Sequence, residues 1–241
     1  NYHEPEIGLA AVALLQKSHR VFAPGVMNPD GDEKARRIHL RCCGRPMISN
    51  GMLDAAIANA RYNVHWLDHW TRDGTPIVAC EPSCILTIKD DYPALLKGEL
   101  RDKAKAIAER CFTLEEFLER RPSLTLQALK SKRVIVQAHC HQRSLVGTSS
   151  LLSLLRRIPG AEVIDLDAGC CGMAGSFGYE VEHYEISRLV GEQRLFPAIR
   201  KTDPDTIIVA PGFSCRLQIE HFTGRKALHP ATLLQSLLIP D

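Results

Sequence analysis

The chain has 241 residues, 45% hydrophobic and 24% charged, which is an ordinary globular composition sufficient for one large domain or two small ones. Thirty basic and 28 acidic residues leave a net charge of +2 without a long basic run, which excludes nucleic acid as a partner. The longest aliphatic stretch, residues 7–15, is too short to span a bilayer, and no secretory signal pattern is present. Because it opens at Asn1 rather than at Met, the chain is expected to be a fragment of something longer.

Taken in order, the elements describe a pattern written twice. An apolar helical stretch covers residues 7–16, and a short strand is expected at 19–23. The triplet Cys42-Cys43-Gly44 follows, then an amphipathic helix at 51–70 in which Trp66 and Trp70, four apart, share one face. A β-branched strand at 77–79 leads into Cys80-Glu81-Pro82-Ser83-Cys84. After a linker at 120–123, a strand is expected at 133–137, then Cys140 between His139 and His141, then a helix at 144–156. A strand at 162–166 precedes the second triplet, Cys170-Cys171-Gly172. A long helix at 179–200 and a strand at 206–210 complete the pattern before Ser214-Cys215.

Two CCG triplets, each followed by a β-branched strand and a Ser-Cys pair, are an internal repeat. The second cysteine of each triplet precedes its Ser-Cys cysteine by 41 and 44 residues. The predicted strands are short and almost wholly apolar, as buried parallel strands are, and helices alternate with them. The fold class is therefore α/β: two pseudo-repeated lobes, each a small parallel sheet flanked by helices. The first lobe covers residues 1–122 and the second 123–241.

Nine cysteines, at 42, 43, 80, 84, 111, 140, 170, 171 and 215, are the outlying count. Neighbouring cysteines do not bridge across a trans peptide, the number is odd, and no export signal accompanies them. Metal binding or redox chemistry is favoured over a disulfide framework. All but Cys111 follow predicted strands, at the end where α/β sheets gather ligands. Cys140, Cys170, Cys171 and Cys215 come from three loops of one lobe and supply the ligand count of an iron–sulfur cluster or a closed zinc site. Cys42, Cys43, Cys80 and Cys84 form a second, differently arranged set. Glycines let the backbone approach a cluster, and helix starts favour thiolates. His139 and His141 read as ligands, proton carriers, donors to sulfur or plain loop histidines. Arg216 reads as offsetting cluster charge, as binding a carboxylate, or as a surface ion pair. Cys111 reads as core filler. The Gly172, Gly175 and Gly178 spacing is a weak nucleotide signal that the cysteines already explain.

These motifs resemble the cysteine-rich CCG domain found in heterodisulfide reductase, in glycolate oxidase iron–sulfur subunits, in lactate-utilisation proteins and in anaerobic glycerol-3-phosphate dehydrogenase. The most specific pieces are residues 138–142, 169–180, 212–216 and His229-Pro230. Residues 1–10 and the CCGMAGSFGYE wording look most like the C-terminal part of fused proteins that carry a flavin-binding 2-hydroxyacid dehydrogenase module ahead of an iron–sulfur module. The resemblance implies an electron-transfer role, not catalysis by this chain alone, with a 4Fe-4S type cluster, or zinc in one lobe, and FAD on an upstream domain. It implies a flavoprotein dehydrogenase domain or subunit as partner, acting on a substrate such as glycolate, D-lactate or D-2-hydroxyglutarate. It also implies a quinone or another redox protein as electron acceptor, and a cytoplasmic place, peripheral to the membrane through partners. Where family members with two clusters carry a lone Cys, a CC pair and a CxxC, this chain has CxxxC in the first lobe and GFSC in the second. The complete ligand set that the resemblance implies is Cys140, Cys170, Cys171 and Cys215, with Cys43 and Cys84 as the first-lobe counterparts and Cys42 and Cys80 alongside. Two other classes stay open: a zinc-binding structural or interaction module, and a thiol–disulfide enzyme of heterodisulfide reductase type.

Overall fold

A computed structural model describes residues 4–21, 40–121, 124–130 and 133–239. The first helix, α1 (Pro5–Gln16), starts with proline, whose missing N–H costs nothing at that position. The strand expected at 19–23 lies largely outside the described residues, and 19–21 carry no strand. After the first CCG come α2 (Arg45–Ser49) and the long α3 (Leu53–Thr71), then β1 (Ile77–Ala79) and α4 (Pro82–Leu86). A single wide helical turn, Thr87–Asp91, runs from α4 into α5 (Tyr92–Leu95). α6 (Gly98–Ala108), β2 (Cys111–Thr113) and α7 (Leu114–Glu119) end the first half. The second half contains β3 (Arg133–Val136), α8 (Cys140–Leu145), α9 (Ser149–Leu155), β4 (Glu162–Asp165), α10 (Tyr184–Glu192), α11 (Leu195–Arg200), β5 (Ile207–Val209), α12 (Phe213–Thr223) and α13 (Pro230–Ser236).

The strands form two parallel sheets. β1 pairs with β2, Val78 opposite Phe112. β3 lies between β4 and β5, with Ile135 opposite both Ile164 and Ile208. Every strand pairing is parallel and is joined through helices, and the strand centres are apolar as the sequence predicts, with Arg133, Glu162 and Asp165 at strand ends. β2 was not among the predicted strands. Three residues, Cys-Phe-Thr, are too few to show a period, and it forms because β1 needs a partner.

The cores do not follow the repeat. One cluster joins Leu14 of α1, Leu114 and Phe117 of α7, Val134 and Val136 of β3, Leu151 of α9 and Leu234 of α13. A second lies between α3, α4 and α6 and includes Cys111, fully buried as expected of core filler. A third lies under the second triplet, with Cys171, Cys215, Phe196 and Ile219. α1 therefore packs on α13 and shares its core with the second sheet, although it opens the chain. The single helix expected at 179–200 is divided. Residues 177–179 and 181–183 are two separate tight turns, and α10 and α11 follow, separated at Arg194, whose backbone leaves the helical region.

Candidate metal centre

Each CCG glycine ends its triplet in the left-handed backbone region, φ 94° at Gly44 and 96° at Gly172. A side chain resists that conformation, so glycine is what lets the chain turn directly after two cysteines. Gly44 then caps α2. In the first triplet the backbone is held from α3. Asn63, buried, accepts from the Arg41 N–H at 2.8 Å and donates to the Tyr92 hydroxyl at 2.8 Å, while Asn59 donates to the Cys42 carbonyl at 3.2 Å. In the second triplet Gln218 of α12 donates to the Cys171 carbonyl at 3.2 Å and to the Ser187 hydroxyl at 2.8 Å. Gln137 donates to the Gly169 carbonyl at 2.8 Å. In both lobes, amide side chains from neighbouring elements pin the triplet backbone.

The structure brings Cys43 and Cys84 together, Sγ to Sγ 3.4 Å, with the Cys42 thiol touching Cys43. In the second lobe the thiols of Cys140, Cys170, Cys171 and Cys215 form a chain of contacts in that order. Cys84, Cys140 and Cys215 all sit in first helical turns. The Cys170 sulfur accepts from the Cys140 and Cys171 thiols and from the Gly172 N–H at 3.3 Å, which carries its pKa down to about 2. Its neighbours move the other way: Cys140 by donating to Cys170, and Cys171 by donating to Cys170 and Cys215, each raised further by burial. Cys43 is lowered by a hydrogen bond from Cys42, but donation to Cys84 and burial together carry it up to about 12.

Both thiol groups face one cavity of about 790 Å³ between the lobes. Cys42, Cys43 and Cys84 line one wall, and Cys140, Cys170 and Cys171 the other. His139 and His141 line it too. His139 is buried, its Nδ1 accepts from the His141 N–H at 3.3 Å, and so its proton sits on Nε2 as a donor. Burial lowers the pKa of both histidines, so they are neutral at neutral pH.

Cys80 does not join the other three of its set. Residues alternate along β1, so Val78 and Cys80 pack towards the large core while Ile77 and Ala79 face the second cluster. Burial pushes the Cys80 thiol up to about 12, and its carbonyl accepts from His229 Nε2 at 2.9 Å. Arg216 likewise does not line the cavity, and its half-buried partner is a carboxylate. The guanidinium bonds both Glu4 carboxylate oxygens, Nε at 3.1 Å, and donates to the Ala210 and Pro211 carbonyls at 2.9 and 2.8 Å. Two charged residues that the cysteine reading did not single out also line the cavity. Arg45 is paired with Asp91 at 3.1 Å, and Glu81 stands between the lobes. Their place within or directly after a cysteine motif was the only sequence signal for them.

Among the described residues, no group of three or more His, Cys, Asp or Glu side chains converges tightly enough to hold a single metal ion. The sulfurs instead meet in a row of three and a row of four, and all of them but the buried Cys215 open onto a shared cavity. Fold and site together define a two-lobed α/β protein built around a thiol-lined cleft. The family model described as the cysteine-rich domain, CCG, matches residues 34–89 and 134–220, and the chain belongs to that family. It is 31% identical over 239 residues to a subunit of the anaerobic glycerol-3-phosphate dehydrogenase of Escherichia coli K12, covering 99% of this chain and 57% of that relative. It is 26% identical over 239 residues to the D-2-hydroxyglutarate dehydrogenase of the same strain, covering 99% of this chain and 22% of that enzyme. It is 26% identical over 244 residues to a subunit of the fumarate reductase (CoM/CoB) of Methanothermobacter marburgensis, covering 44% of that relative. The chain thus spans little more than half the length of the first of these relatives, and less of the others. No helix among the described residues is long and apolar enough to cross a membrane.

Proposed function

We propose that this chain is the iron–sulfur electron-transfer module of a flavin-linked dehydrogenase that oxidises a small hydroxy compound, glycolate, D-lactate and D-2-hydroxyglutarate being the class. The observation that carries the reading is the pair of thiol groups facing one cavity, in a chain whose relatives include dehydrogenases and their subunits. Cys140, Cys170, Cys171 and Cys215 would hold a 4Fe-4S type cluster, and Cys42, Cys43 and Cys84 would supply ligands to a second group. A bound cluster supplies one-electron chemistry, which passes on the two electrons a flavin takes from its substrate. Sulfurs spread around a cavity suit a multi-atom cluster better than a lone zinc ion, whose four ligands must close to about 2.3 Å of one point.

The chain's own residues supply the rest of the site. The Gly172 N–H aimed at Cys170 and the neutral His139 Nε2–H are donors of the kind that tune a cluster's potential. FAD would belong to a partner domain or subunit, and a quinone or a second redox protein would accept the electrons. The module would work on the cytoplasmic side, peripheral to the membrane through its partners. Anaerobic purification followed by iron, sulfide and zinc analysis is the test. Iron with equimolar sulfide and visible absorbance that bleaches on reduction is expected; zinc without sulfide rejects the cluster. Cys171→Ser should remove the metal of the second lobe while Cys111→Ser leaves it in place.

A further inference from the structure

We infer that Glu81 is a positioning residue that ties the two thiol groups together through a single carboxylate. The inference rests on the reading of those thiols as ligands. Glu81 Oε1 accepts from the Ser83 N–H at 3.2 Å and the Ser83 hydroxyl at 2.6 Å. Glu81 Oε2 accepts from the Phe213 N–H at 2.8 Å, 132 residues away in the chain. The first oxygen therefore caps α4, which carries Cys84, and the second caps α12, which carries Cys215.

Capping its own helix needs only one oxygen. The second satisfies an N–H that α12 would otherwise leave unpaired, and Gly212, just before it, makes room for the approach. A Cβ at Gly212 would lie 2.3 Å from the His139 ring, so the α12 start is packed against the helix bearing Cys140 as well. Two other contacts close the same seam: Asn50 Nδ2 to Ser176 Oγ at 2.9 Å, and Gly175 against Ser49, where a Cβ would sit 2.5 Å from the hydroxyl. Those are neutral contacts at the rim. Glu81 is the charged one, it lines the cavity, and each of its oxygens ends within two residues of a cysteine.

Glutamine cannot replace this carboxylate, because its one oxygen must choose between Ser83 and Phe213 and its NH₂ then faces the other donor. Aspartate keeps the charge and is a good helix cap but lacks the reach across the seam. Wild type, Glu81→Gln and Glu81→Asp are compared by amide hydrogen exchange in the chelator-treated protein. Their potentials are compared after reconstitution with iron and sulfide. Glu81→Asp is expected to leave residues 82–86 protected and to speed exchange at 213–217 by ~10-fold or more, the loss of a charge-assisted bond. Glu81→Gln should open one or both segments and raise the midpoint potential of the bound centres, since a negative charge has left the cavity wall. Unchanged exchange at 213–217 in both variants, or potentials that do not move in Glu81→Gln, overturns the assignment. If wild-type protein takes up no iron, the ligand reading fails by itself, while the exchange result still decides whether Glu81 joins the two helix starts.

Discussion

The two triplet glycines share a backbone and differ in their surroundings, which separates strain from space. A Cβ on Gly172 would lie 2.1 Å from the Ser187 carbonyl oxygen, whereas on Gly44 it would meet Ala56 Cβ at 3.4 Å, ordinary contact. Gly44→Ala should therefore cost about 1–2 kcal/mol from the left-handed backbone alone. Gly172→Ala should cost roughly 2–4 kcal/mol, because α10 must also move. Urea denaturation of the two variants checks the order, and an equal loss would refute the steric part. Glu115 makes a different argument at the same scale. It is buried in α7, neither carboxylate oxygen has a hydrogen-bond partner, and burial raises its pKa to about 7. The folded state therefore keeps a proton that the unfolded state releases above about 4.5. Stability from this group is fully present below that pH and is lost as pH rises through 7. Glu115→Gln should be stabilised relative to wild type by on the order of 2–3 kcal/mol at pH 8, with the difference vanishing near pH 4. Denaturant midpoints measured across that range give the comparison, and a difference independent of pH would show that Glu115 ionises freely.

Among the elements, α7 depends most visibly on its ends. It is six residues long, too short to persist alone, and it is fixed by a reciprocal cap: the Thr113 hydroxyl accepts from the Glu116 N–H, and the Glu116 carboxylate accepts from the Thr113 N–H at 2.9 Å. Thr113→Ala should cost about 1 kcal/mol and loosen β2 at its last residue, seen as faster amide exchange at 113–116. Neither that cap nor the β2 strand before it was read from the sequence. The strands at 77–79, 133–136, 162–165 and 207–209 were legible because β-branched runs bounded by breaks have few other uses. The division of 179–200 was hidden, since helical spacing of apolar residues survives a short break between helices. The cysteine motifs were legible as local patterns. The exclusion of Cys80 was not: it follows from which face of β1 meets which core, a fact of tertiary packing. The Glu81 bond to Phe213 joins residues too distant for any periodicity to record.

At the scale of the molecule, the repeat in the sequence and the division of the packing disagree, and the disagreement has a consequence. The repeat assigns residues 1–122 to one lobe, yet α1 buries Ile7, Ala10, Ala11 and Leu14 in the cluster that holds β3, α9 and α13. α7 adds Leu114 and Phe117 to that same cluster. With side chains from both halves in one core, neither half retains its apolar contacts if the other opens. Heating or urea should then unfold the chain in a single transition that helix content and tryptophan fluorescence report at the same midpoint. Trp66 and Trp70 lie in α3, in the first half only, so a separately melting second half would split the two signals. Glu4 is the sharper probe. Its carboxylate pairs with Arg216, whose side chain is 8% exposed, and the adjacent Cys215 is one of the four second-lobe thiols. Glu4→Gln leaves a buried guanidinium with only carbonyl partners. Because the Glu4 side chain is itself 30% exposed, the cost is discounted to about 1–3 kcal/mol. The loss should appear at the second thiol group: in protein reconstituted with iron and sulfide, Glu4→Gln should bind less iron than wild type, while alkylation of Cys43 and Cys84 in the metal-free protein stays at the wild-type rate. If those two cysteines become reactive instead, the N-terminal helix belongs energetically to the first lobe, and the repeat rather than the packing describes how this molecule divides.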